Sequence, residues 1–205
     1  MTIRFHAFDL PDLAQYQVDA VAIDTETLGL NPHRDRLCVV QISPGDGSAD
    51  VIQIAPGQKK APNLTALLRD RKITKIFHYA RFDLAVLYNA FGVMPEPVFC
   101  TKIASRLTRT YTDRHGLKDI CAELLGVSLS KQQQSSDWAA ATLSPEQLEY
   151  AASDVLHLHA LREKLKFRLE RERRTGEADA CFRFLPTRAR LDLMGWGEED
   201  IFAHS

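Results

Sequence analysis

No stretch of this 205-residue chain approaches the roughly 18 consecutive apolar residues that a membrane-spanning helix requires. The four cysteines, Cys38, Cys100, Cys121 and Cys181, form no CxxC pair, so the clustered soft ligands that zinc prefers are missing. They read as buried reduced thiols. An excess of one charge is lacking too: 26 basic and 27 acidic side chains leave a formal net charge of −1. That balance argues against coating long nucleic acid by charge alone. Neither an internal repeat nor a low-complexity linker interrupts the chain, and the segment from Met1 to Ala7 lacks the basic-then-apolar pattern of a secretory leader. What is present, 45% apolar and 26% charged residues, is ordinary for a globular domain. The expectation is one cytoplasmic domain over 1–205, large enough for a substantial core.

Three β-rich stretches open the chain, Val18 to Thr25, Leu37 to Ser43 and Asp50 to Ala55. Turn-rich separators, Gly29 to Pro32 and Pro44 to Gly47, predict antiparallel pairing through hairpin-like connections. Leucines at helical spacing predict a helix from Pro62 to Arg71, followed by a short strand from Lys75 to His78. Further helices are expected from Phe82 to Phe91, Thr101 to Leu107 and Leu117 to Leu125, with a strand from Pro97 to Cys100. Residues 127–142 read as a polar loop. Ser144, Pro145 and Gln147 then have capping-box spacing, and open a helix expected to run unbroken to about Arg171. The class implied is α/β, a mixed sheet flanked by helices. The tail after Gly176, with Phe182, Phe184, Leu185, Trp196 and Phe202 among its apolar residues, needs a covering partner; a neighbouring subunit is the favoured one.

Four carboxylates carry the chemistry. Asp24 and Glu26 alternate on one strand and project from one face. Asp83 opens a helix among apolar neighbours, where a favourable helix dipole is an equally simple account. Tyr150 and Asp154, four residues apart, share one helical face. Acids set in apolar segments are costly unless something positive lies between them, and divalent cations are the simplest candidate. Two ions held by shared carboxylates cleave phosphodiester bonds, which makes a nuclease the leading expectation. Around these acids several residues stay open to two readings. His78 fits a structural histidine better than a ligand, Arg81 is a surface charge or a phosphate contact, and His157 is a neighbour rather than a base. Arg106, Arg109, Arg114 and His115 form a sparse basic stretch, by default solvated.

The order of these pieces is specific. Asp-x-Glu on a first strand, an aspartate opening a middle helix, then Tyr-x-x-x-Asp on a late helix resembles the DEDD exonucleases, and the tyrosine places the chain with the DEDDy branch. The segment from Gly116 to Val127, with Lys131, Gln134 and Ser136-Asp-Trp138, is similar to ribonuclease D; the likeness covers about residues 15–165. Helical RNA-binding domains follow the nuclease domain in ribonuclease D, and the chain ends too soon to contain them. It therefore looks more like the compact nano-RNases of type C, whose tails resemble Cys181 to Arg188.

The resemblance implies a ribonuclease H-like mixed sheet and 3′-5′ exoribonuclease activity on short RNA, down to dinucleotides, releasing nucleoside 5′-monophosphates. It also implies a homo-octamer, with residues 166–205 in subunit contacts. Catalysis would rest on Asp24, Glu26, Asp83, Tyr150 and Asp154. Asp24, Glu26 and Asp154 would hold one ion, Asp24 would also touch a second, and Asp83 would support that site through water. Mg²⁺ or Mn²⁺ suits such oxygen ligands. Tyr150 would position the nucleophile. Thr25, Leu30, His78, Arg81, Lys131, Gln134 and Trp138 are candidate substrate contacts; Leu30 reads equally as a wedge against the terminal base or a turn-capping apolar residue. Rival expectations are ribonuclease D-like trimming of longer RNA, a DNA 3′-5′ exonuclease, and a catalytically silent RNA-binding scaffold.

Overall fold

Among the described residues, six strands form one mixed sheet, numbered in chain order below and arranged spatially as first, fourth, third, second, fifth, sixth. The computed structural model describes residues 2–130 and 132–204. The strands are β1 (Thr2–Ala7), β2 (Ala20–Thr27), β3 (Leu37–Ser43), β4 (Ser48–Gln53), β5 (Thr74–Phe77) and β6 (Val98–Cys100). As expected from the short turns, β2 pairs antiparallel with β3, and β3 with β4. The other pairings, β1 with β4, β2 with β5 and β5 with β6, are parallel. The sheet is thus mixed, and the class is α/β as the sequence implies.

Strand β1 was absent from the sequence reading. Its residues are half-exposed and polar at the positions that reach inward, and a parallel partner 46 residues away leaves no hairpin pattern. The clasp is Asp50 on β4, fully buried, which accepts from Arg4 Nε at 2.8 Å and from the Tyr16 hydroxyl at 2.5 Å, and lies 2.7 Å from His6 Nε2. These donors hold its carboxyl below the usual range against the opposing effect of burial.

Among the described residues seven α-helices surround the sheet: α1 (Pro62–Arg69), α2 (Ala80–Phe91), α3 (Thr101–Thr108), α4 (Leu117–Leu125), α5 (Pro145–Leu156), α6 (Leu158–Arg171) and α7 (Thr175–Leu191). Gly92 and Gly126 end α2 and α4 in the left-handed region, as their positions suggested. None is long and apolar enough to cross a membrane among the described residues. Ile23, Ile42, Ile52, Leu64, Leu68, Ile76 and Leu84 are fully buried in the main core. Each contributes about 1.5–3 kcal/mol of transfer free energy.

Two expectations are corrected. The long helix predicted from Pro145 breaks at His157: α5 packs over β2, β3 and β4, and α6 turns away to pack on α3, α4 and β5. The tail is not left for a partner throughout, because α7 packs on α2, α3, α6 and β6 and buries Ala178, Phe182, Leu185 and Ala189 within its own domain. Beyond it Met194, Trp196, Ile201 and Phe202 stay exposed. Of the cysteines, Cys38, Cys100 and Cys121 are buried as expected, while Cys181 is exposed.

Candidate active site

The capping box at the start of α5 is present in full: the Gln147 backbone N–H donates to Ser144 Oγ, and the Ser144 N–H donates to Gln147 Oε1. The Gln147 side chain also donates to Ser136 Oγ and to the Asp137 carbonyl, tying the preceding loop to the helix. So anchored, α5 carries Tyr150 and Asp154 over the strand that bears Asp24 and Glu26. A register shift between Glu26 and Thr27 leaves one extra residue on β3, a bulge beside the end of β2.

Asp24, Glu26 and Asp154 each offer a carboxylate oxygen, and these oxygens lie within 4.8 Å of one another. Not one of the three forms an ion pair among the described residues. Burial first, and then the neighbouring acids, raise the Asp24 carboxyl well above its ordinary value and Glu26 to about 9. Burial lifts Asp154 to about 7, against a hydrogen bond from Tyr150 that lowers it. A cluster of carboxylates that resists ionising when bare, with hard oxygen donors at ligand spacing, fits a divalent cation.

Asp83 is placed differently. Thr25 points to the sheet face opposite Asp24 and Glu26, and its hydroxyl donates to Asp83 Oδ1 at 2.7 Å. Asp83 is buried and raised to about 7, chiefly by desolvation. It stands outside the three-acid group but close enough to raise the proton affinity of Asp24 and Glu26. Thr25 also lines the cleft described below, with its hydroxyl engaged by Asp83.

Asp24, Glu26, Tyr150 and Asp154 line a cleft of about 730 Å³. Leu30, His78, Gln134 and Trp138 line it as well. Leu30 is 84% exposed, whereas Trp138 is only 3% exposed and packs its indole 5.9 Å from the Tyr150 ring. Trp138 is thus a wall behind Tyr150, not an open stacking platform. His78 pairs through Nδ1 with Thr101 Oγ1 at 2.9 Å, and burial pushes its imidazole down to about 3, so it stays neutral.

Arg81 does not line this cleft: its guanidinium is bound to Asp192 at 2.6 Å and to the Gly197 carbonyl. Arg109, expected as a solvated charge, is buried and bonded to Glu123, Ser105 and the Arg114 carbonyl. Lys131 lies outside the described residues.

Residues 10–170 match the family model described as a 3′-5′ exonuclease. The chain belongs to the 3′-5′ exonuclease family. A structure of Brucella melitensis NrnC with bound Mg²⁺ is 76% identical and superposes with a TM-score of 0.97 over the whole of both chains. The same Brucella protein has also been solved bound to pGG. Ribonuclease D of Gluconacetobacter diazotrophicus is 39% identical over 154 residues, 75% of this chain but 39% of that protein. Escherichia coli RNase D, described as an exoribonuclease involved in structured RNA processing, superposes with a TM-score of 0.76 at 30% identity, over 86% of this chain and 46% of that one. The chain thus spans well under two thirds of the length of these ribonuclease D relatives.

Several residues of the exonuclease cleft escaped the sequence reading. Tyr79, Phe82, Lys102 and Lys118 line it, with Lys102 Nζ 4.5 Å above the Tyr79 ring. Tyr79 also adopts φ 66°, ψ 44° at the start of α2, uncommon for a bulky residue. Phe82, Lys102 and Lys118 sit in the first turns of α2, α3 and α4, with Tyr79 just before α2, and single lysines and aromatics there carry no pattern of their own; only the folded chain brings them beside the acids.

Proposed function

We propose that the chain is a metal-dependent 3′-5′ exoribonuclease that hydrolyses short single-stranded RNA, down to dinucleotides, to nucleoside 5′-monophosphates. The observation that carries this reading is the convergence of Asp24, Glu26 and Asp154, without cationic partners among the described residues, beside a tyrosine in a cleft of about 730 Å³. A cavity of that size is in the range of small-ligand sites and accommodates a few nucleotides rather than a long strand. The end-to-end likeness to a protein solved with pGG supports the same substrate class.

Asp24, Glu26 and Asp154 would hold divalent cations, Mg²⁺ or Mn²⁺ by the hardness of the donors. When bound, two such ions would activate the attacking water and offset charge on the leaving 3′ oxygen. Asp83, fixed by Thr25, supports the site from its margin. Burial and the nearby acids push the Tyr150 hydroxyl well above its ordinary value, so it remains protonated and orients the water instead of taking its proton. Lys102 and Lys118 offer positive charge to phosphate, and exposed Leu30 is free to wedge against the terminal base.

End-labelled RNA and DNA of about two to twenty nucleotides, incubated with purified protein and Mg²⁺ or Mn²⁺, test this reading. Dinucleotide RNA should be cleaved fastest, and equal rates on the longest RNA would overturn the length preference. An Asp24→Ala variant with full activity would overturn the mechanism. The exposed Met194, Trp196, Ile201 and Phe202 support self-association, as an octamer by resemblance; a monomer in light scattering would refute it.

A further inference from the structure

β3 is buried along its whole length, and Gln41 sets a carboxamide among the apolar residues Leu37–Ile42 of that strand. It is fully inaccessible to solvent. A buried amide that gains nothing from its surroundings costs about 1–3 kcal/mol. An apolar side chain of the same size would fill the space without that cost, so the polar group is to be explained by what it touches.

Gln41 lies directly opposite Asp24 in the β2–β3 ladder. Opposed residues leave the sheet on the same face, so the carboxamide meets the carboxylate side by side. Gln41 Nε2 donates to Asp24 Oδ2 at 2.8 Å. Its Oε1 has no partner among the described residues. The amide therefore spends its donor end on Asp24 and leaves its acceptor end unmatched.

We propose that Gln41 is a positioning residue for the metal centre, holding the Asp24 carboxylate in one rotation about its Cβ–Cγ bond before any cation arrives. Glu26 and Asp154 come from a strand end and a helix. Asp24 lies deeper along β2, its partner in the ladder being the amide-bearing residue itself. With Asp24 fixed, the three oxygens that lie within 4.8 Å of one another are preset, and a cation binds without first freezing a carboxylate rotor. The role is thus one of metal affinity, distinct from the chemical step, and it rests on the metal-dependent reading above.

The test titrates Mn²⁺ alone into full-length protein by calorimetry, comparing the wild type with Gln41→Met, which keeps the volume and removes the donor. Metal affinity should fall about 10- to 100-fold, as for loss of other partners that orient ligands. At saturating Mn²⁺ the turnover number of the variant should return close to that of the wild type, a recovery that a damaged fold would not show. Unchanged Mn²⁺ affinity in Gln41→Met would overturn the proposal. If that variant fails to fold, Gln41→Asn keeps the carboxamide but withdraws the donor by one methylene; it should weaken Mn²⁺ binding in the same direction, and wild-type affinity there would overturn the proposal equally. Absence of Mn²⁺ binding to the wild type would overturn the metal reading itself, and the role of Gln41 with it.

Discussion

Replacing Glu26 by Gln should stabilise the metal-free protein while disabling the site. The folded environment raises this carboxyl from 4.5 to about 9, through burial and through the charges of Asp154 and Asp83. A group whose proton affinity is higher in the folded state contributes its full stability below the unfolded value and loses it as pH rises towards the folded one. Near neutrality the folded protein must take up a proton that the unfolded chain has released. At about 1.4 kcal/mol per unit between 4.5 and pH 7 that uptake costs about 3 kcal/mol, an upper figure because the clustered acids share the burden. The amide carries no such cost. Glu26→Gln should therefore raise stability without metal by about 1–3 kcal/mol, or about 2–10 °C in Tm for a domain of this size. In Mn²⁺ the order should reverse, because the wild type gains binding free energy that the variant forfeits, about 2.7 kcal/mol at a hundredfold excess over Kd. Hydrolysis should fall at least about 100-fold. Thermal melts with chelator and with Mn²⁺, run beside a hydrolysis assay, read all three. A variant that melts lower than the wild type in chelator would refute the reasoning, since bare repulsion would then not be what the cation relieves.

Tyr150→Phe keeps the ring against Trp138 and removes the hydroxyl that lowers the proton affinity of Asp154. Turnover should drop about 10²- to 10⁴-fold with a stability change under about 1 kcal/mol, and wild-type turnover would rule out an orienting role. With chelator present, the wild type should lose stability as pH rises from about 4.5 towards 9, because Asp83, Asp154 and Glu26 are all raised, to about 7, 7 and 9. Stabilisation by added Mg²⁺ should grow over the same window, and a melting temperature that climbs with pH in chelator would contradict the raised acids.

The acids and most of the elements were legible because each rests on a local pattern. Asp24 and Glu26 needed only the two-residue period of a strand, Tyr150 and Asp154 only the four-residue spacing of a helix, and α5 announced itself through Ser144, Pro145 and Gln147. The parts that were hidden depend on residues far apart in the chain. Strand β1 exists because Asp50 collects Arg4, His6 and Tyr16, and its parallel pairing leaves no turn to read. The break at His157 is marked by no glycine or proline in the sequence, and α5 and α6 pack largely on different elements. Arg81 and Arg109 show the same limit in reverse: each looked free, and each is held by a carboxylate, Asp192 or Glu123, that sequence distance concealed.

Asp50, buried, and Asp24, half-buried, are acids on one sheet, and their surroundings assign them opposite work. Asp50 meets a guanidinium, an imidazole and a phenol, and its proton affinity falls below the ordinary value. Asp24 meets one neutral amide and three further acids, and its proton affinity rises. A carboxylate satisfied by the protein is structural, since nothing remains for a ligand to add. One left unsatisfied holds the fold at a cost, and the cost is removed only by a cation from outside. The same deficit that weakens the bare fold therefore becomes the driving force for metal binding, which is why stability and cation affinity should change in opposite directions when any acid of the cluster is neutralised.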